Sequence, residues 1–88
     1  MALSFPNLSR SYDAAGRRVR FWGYDSAMEV PFFVEASALA GLAPRTSDAE
    51  TGILAAFDAA RARIIEVAAS VYSFDKRSFY VLVASDFR

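Results

Sequence analysis

The sequence predicts an α+β domain in two layers: a mainly antiparallel sheet of about four strands, with one long helix and one short helix packed on it. Three observations predict it. Residues 47–72 repeat apolar side chains at helical spacing, residues 18–34 alternate with a period of two, and residues 79–83 form a continuous β-branched and aromatic run. With 88 residues and 55% hydrophobic content, the chain supports one core and one domain, 1–88, with residues 1–8 as an N-terminal arm.

In the arm, Leu3, Phe5 and Leu8 sit among small polar residues and Pro6 bars a regular helix, so an extended segment lying on the core is expected. Asp13-Ala14-Ala15-Gly16 has Asp first and Gly fourth, the pattern of a type I turn, which makes Ser11 to Tyr24 a hairpin. Its second strand points Val19, Phe21 and Gly23 one way and Arg18, Arg20, Trp22 and Tyr24 the other. Ala27 to Val34 resumes the alternation, with Met28, Val30, Phe32 and Val34 on one face. Pro31 inside it cannot donate to a ladder and calls for an edge or a bulge.

Glu35 to Ala40 reads as a short helix stopped at Gly41, with Pro44 just beyond. The long helix, Ser47 to Tyr72, opens on the capping box Ser47-Asp48-Ala49-Glu50. Ile53, Phe57, Ala60, Ile64, Val67, Ala68 and Val71 share its buried face; Asp58, Ala62, Glu66 and Ala69 lie opposite. Phe57, Ile64 and Val71 are expected in the core. Ser78 to Ala84 is apolar on both faces, which predicts a strand internal to the sheet.

The chain has neither Cys nor His, which removes disulfides, thiolate nucleophiles, imidazole bases and the usual zinc ligands. No catalytic residue, metal ligand or cofactor-binding residue is assigned, and no cofactor is expected. Asp25, Glu29 and Glu35 are the carboxylates nearest a plausible sheet edge, and a carboxylate-based or cofactor-borrowing enzyme would need two of them to converge. No run of about 18 apolar residues is free of charge, so no membrane-spanning helix is expected. The first residues lack the basic start and apolar stretch of a signal peptide, which points to the cytoplasm.

The ten basic and ten acidic side chains cancel. They are unevenly placed, with +3 over residues 10–20, −5 over 25–58 and +2 over 61–88. Arg10, Arg17, Arg18 and Arg20 beside Trp22 and Tyr24 are the best candidate for a nucleic-acid surface, since guanidinium groups neutralise phosphate and aromatic rings stack bases. The zero net charge favours a solvated hairpin instead. A helix-turn-helix around 41–46 is disfavoured because Asp48, Glu50 and Asp58 crowd the helix that would meet phosphate.

Ala2-Leu3-Ser4-Phe5-Pro6-Asn7, Ser9-Arg10-Ser11-Tyr12-Asp13, Val19-Arg20-Phe21-Trp22-Gly23-Tyr24-Asp25 with Met28-Glu29, Phe32-Phe33-Val34-Glu35-Ala36 and Ala56-Phe57-Asp58-Ala59 together resemble the small bacterial proteins grouped as domain of unknown function 1488. The resemblance covers essentially the whole chain and implies no activity, cofactor or catalytic residue. Family members tend to have a glycine before the last strand, where this chain has Phe74-Asp75-Lys76-Arg77.

The expected role is therefore a non-catalytic binding or regulatory module acting through protein contacts, with Arg18, Arg20, Trp22, Tyr24 and Phe33 as the interaction surface. One helix layer covers one face of a sheet, which leaves Trp22, Tyr24 and Phe33 pointing away from it. The last strand adds either Phe79, Val81 and Val83 or Tyr80, Leu82 and Ala84 to that outer face. So much aromatic surface predicts a homodimer, unless the arm folds over it.

Overall fold

Val19, Phe21 and Gly23 of one strand and Val30, Phe32 and Val34 of the next are all buried, while the residues between them stay partly open. This alternation fixes the sheet with one face on the core. The computed structural model describes residues 3–6, 9–42, 49–74 and 77–87. Its elements run β1 (Leu3–Ser4), β2 (Ser11–Asp13), β3 (Arg18–Asp25), β4 (Met28–Glu35), α1 (Ala36–Ala40), α2 (Glu50–Ala59), α3 (Arg61–Phe74), β5 (Tyr80–Leu82) and a 3-10 helix, Ala84–Phe87.

The five strands form one mixed sheet in the order β1-β3-β4-β5, with β2 also on β3. β1 pairs with Tyr24 and Asp25, and β2 with Arg18, Val19 and Arg20, so the two share one edge. The arm thus adds a strand beyond those the sequence marks. Phe5 turns onto the core face, with ring centroids 6.0 Å from Phe21 and 5.8 Å from Phe32. Gly23 makes this approach feasible, because a Cβ there would lie 2.8 Å from both the Phe5 ring and the Ser4 carbonyl oxygen.

In the β2–β3 turn, Asp13 Oδ1 accepts the Gly16 amide at 3.3 Å, and the closing bond runs from the Arg17 amide to the Ala14 carbonyl. The turn therefore closes one residue later than the Asp-Gly pattern indicates, with Arg17 at φ 51. β3 and β4 meet through Ser26 and Ala27, with Ser26 at φ 58. Met28 closes that hairpin and is 57% exposed, so it does not join Val30, Phe32 and Val34 in the core. Pro31 pairs with Trp22, and β5 contacts β4 only at residues 32–34, one position short of it.

The long helix is two helices. Ala60 breaks it, at φ −102 and ψ 10, although its amide still reaches the Ala56 and Phe57 carbonyls and the Ile64 amide still bonds to Ala60. A straight helix over residues 50–74 would run about 37 Å, whereas eight-residue strands span about 27 Å. Both halves keep their apolar stripe in the core: Ile53, Ala56, Phe57, Ile64, Val67 and Ala68 are buried, and Val71 is half-buried against them. Ala49 stands at the N-cap of α2 without a side-chain cap bond, and Ser47 and Asp48 of the expected capping box lie outside the described residues. Gly41 ends α1 at φ −89, in ordinary right-handed geometry rather than the left-handed stop its identity implies.

The last strand departs most from expectation. β5 has three residues, lies at the sheet edge and runs parallel to β4, so α1, α2 and α3 form the crossover between them. Asp86 ends it, accepting the Val83 amide at 2.8 Å while its own amide bonds the Val83 carbonyl at 2.9 Å. Tyr80 and Leu82 are buried beneath the helices, while Phe79 and Val81 face outward. The run is apolar on both sides because the outer face is itself apolar, not because neighbouring strands enclose it.

Candidate interaction face

Arg18, Arg20, Trp22 and Tyr24 alternate with the buried residues of β3, and Phe33 with those of β4, so all five sit on the face turned away from the helices. The register sets them in rows: Arg18 beside Glu35, Arg20 beside Phe33, Trp22 beside Pro31, and Tyr24 beside Glu29. β5 extends one of these rows, placing Val81 next to Phe33, and Phe79 immediately precedes the strand. Phe79 is 50% exposed and meets Phe33 edge to face at 6.2 Å.

The two arginines lie on the aromatic rings. The Arg18 guanidinium sits 3.9 Å from the Phe33 ring centre, and that of Arg20 is 4.8 Å from Trp22. Each such contact is worth about 0.5–1 kcal/mol at an exposed site. Arg18 also bonds Asp13 at 2.9 Å, and Arg20 lies 3.6 Å from Glu29. The Arg18 bond holds the Asp13 carboxyl below its ordinary range, with the Gly16 amide adding to it. Carboxylates are thus interleaved with the arginines, and the face carries no strong net charge.

The arginine cluster does not assemble. Arg10 reaches the helix layer, donating to both carboxylate oxygens of Asp58 at 2.9 and 2.7 Å. Arg61 adds a third bond to Asp58 at 3.2 Å. These contacts, with Arg10 first, hold the Asp58 carboxyl below its ordinary range. Arg17 occupies the turn. Only Arg18 and Arg20 of the four remain on the aromatic face.

The carboxylates do not converge either. Glu29 and Glu35 share the outer face but stand six residues apart along β4, about 20 Å. Asp25 has the opposite parity and accepts a hydrogen bond from the Tyr72 hydroxyl. That bond, with burial and the nearby negative charge, pushes the Tyr72 phenol up to about 12. Two open clefts of about 280 Å³ flank the 3-10 helix. One holds Glu66 and Asp86, but Arg63 binds Glu66 at 2.6 Å and Asp86 caps Val83. The other is lined by Ser37, Ala38, Gly41, Leu42, Ala84 and Phe87 and has no carboxylate among them. Among the described residues no group of three or more acidic side chains is placed to hold a metal ion, and no helix is long and apolar enough to cross a membrane.

Sequence reasoning missed Pro31 and Glu29 as members of the face and left open which parity of the last strand joins it. The two-residue β3–β4 connection held the signal for the first two, since it fixes the register that places them beside Trp22 and Tyr24. The Tyr72–Asp25 contact spans 47 positions and leaves no local signal.

Compared with known families, residues 3–82 match the one described as Protein of unknown function (DUF1488). The chain belongs to the DUF1488 family. No curated protein and no solved structure matches it. The arginine, phenylalanine, tryptophan, glycine run of this DUF1488 chain is the middle of β3. It supplies Arg20 and Trp22 to the outer face, Phe21 to the core, and Gly23 to the site where Phe5 enters.

Proposed function

We propose that this DUF1488 protein is a non-catalytic binding module of the bacterial cytoplasm that acts through protein contacts on the outer face of its sheet. One observation carries the reading: half-buried Trp22, Tyr24, Phe33 and Val81 and exposed Phe79 share one aromatic and aliphatic face, and every helix described lies on the opposite face. Aromatic residues and arginine are the side chains enriched at protein interfaces, and patches of this kind are uncommon on isolated monomers. The interleaved Arg18, Arg20, Glu29 and Glu35 fit a protein partner bearing both signs of charge better than a polyanion.

The test compares the wild type with Trp22→Glu as baits in extract of the native host. Proteins held by the wild type and lost from a folded Trp22→Glu support the reading; identical capture by both overturns it. Filter binding of single-stranded nucleic acid at two salt concentrations tests the alternative. The expected result is no binding at low salt, and a steep salt dependence would support a nucleic-acid regulator instead.

A further inference from the structure

The reading of the outer face as a protein-binding surface leaves its occupant open, and the inference here rests on that reading. We propose that the occupant is a second copy of this chain, packed sheet against sheet about a two-fold axis that runs along the strands between β3 and β4.

The argument comes from the register. The outward residues pair across β3 and β4 as Arg18 with Glu35, Arg20 with Phe33, Trp22 with Pro31, and Tyr24 with Glu29. A two-fold axis parallel to the strands and midway between two facing sheets exchanges the positions of β3 and β4 and leaves each row at its own height. Every residue then lies opposite its own row neighbour on the other copy. Arg18 meets Glu35, a cation against a carboxylate. Arg20 meets the Phe33 ring, Trp22 meets the Pro31 ring, and the Tyr24 hydroxyl meets Glu29. All four rows are complementary, and each contact occurs twice.

An unrelated protein would have to supply this pattern independently, whereas a second copy has it through the register itself. Among the described residues Glu35 makes no ion pair and the Tyr24 hydroxyl makes no hydrogen bond, so both have capacity for a partner across the axis. Phe79 extends the apolar strip beyond β4.

The two eight-residue strands, with the two- and three-residue strands beside them, at about 3.4 Å per residue and about 4.8 Å apart, present a flat area of roughly 400 Å². Side-chain relief adds to it, which places the contact at the small end of specific interfaces. Aligned sheets packed about 10 Å apart provide a known geometry for it.

Sedimentation equilibrium at micromolar concentration tests the proposal, with circular dichroism confirming that each variant is folded. The wild type is expected to sediment as a dimer. Arg18→Glu alone and Glu35→Arg alone each place like charges across the axis, and each should raise the dissociation constant about tenfold or more. Mixing these two variants should restore the dimer. One chain then presents carboxylates at both positions and the other guanidinium groups, so both contacts across the axis regain opposite charge. The like-charge pair within each chain remains, which separates this rescue from a repair of folding.

If Arg18→Glu fails to fold beside Asp13, Trp22→Glu takes its place and should give a folded monomer. A wild-type dimer indifferent to these substitutions overturns the geometry. A monomeric wild type whose captured proteins still depend on Trp22 overturns the homodimer and leaves the protein-binding face in place. A monomer with no Trp22-dependent partner overturns both.

Discussion

Phe32 and Phe33 are neighbours in β4 and end on opposite faces of the sheet, and the contrast between those faces bears directly on how the protein works. Phe32 is fully buried, with ring centroids 5.4 Å from Phe21 and 5.0 Å from Tyr80, and Phe5 closing over it. Phe33 is only half-buried, under the Arg18 guanidinium and against the edge of Phe79. On the inner face aromatic rings pack against one another and exclude water. On the outer face they are covered by cations, which shield apolar surface while remaining hydrated themselves. The inner arrangement stabilises the fold, and the outer one leaves a surface that a partner can desolvate at little cost to the fold.

The sharpest test of this contrast truncates each ring in turn. Phe32→Ala, like Phe57→Ala beneath the helices, should cost about 3–5 kcal/mol, a large share of the roughly 5–15 kcal/mol that stabilises a domain. Phe33→Ala should cost about 1 kcal/mol, the scale of one cation–π contact and one edge-to-face contact. Equal losses in chemical denaturation would show that the outer face belongs to the core after all.

Gly23→Ala tests how the arm joins the inner face. Its added methyl group meets the Ser4 carbonyl, which is backbone and cannot rotate aside, so the cost should be about 1–3 kcal/mol. Hydrogen exchange should show faster opening of Leu3 and Ser4 in that variant, with β4 still protected. Unchanged exchange at the arm would sink the account of Gly23.

Smaller effects come from an ion contact and a hydrogen bond on the helix side, and their signs differ. Asp58 has a lowered folded pKa, so the stability it gains from Arg10 and Arg61 is present above the ordinary carboxylate pKa and is lost as pH falls below it. Because the pair is largely exposed, Asp58→Asn should flatten the acid side of the pH-stability profile by no more than about 1 kcal/mol. Tyr72 has a raised folded pKa of about 12 against an ordinary 10.0, so its contribution is complete below pH 10 and declines as pH rises toward 12. Tyr72→Phe should remove that alkaline decline, which melts across this range would read directly.

The sequence by itself determined the α+β class, the core-facing parity of β3 and β4, the hairpin between Ser11 and Tyr24, and the buried stripe of residues 53–68. Each follows from periodicity within one element, which burial on one side enforces locally. Arg18, Arg20, Trp22, Tyr24 and Phe33 were legible as one face for the same reason. Tertiary structure alone decided where the elements stop and what they meet. The helix breaks at Ala60, at φ −102 and ψ 10, with no Gly or Pro there to mark the break. β5 lies parallel at the edge because the crossover delivers it beside β4, and periodicity carries no information about strand order. Arg10 leaves the arginine cluster because Asp58, 48 positions away, comes within hydrogen-bond reach. Contacts between distant positions exist only once the chain has closed on itself, and they separated a run of four arginines into two on the aromatic face, one in a turn and one on the helix layer.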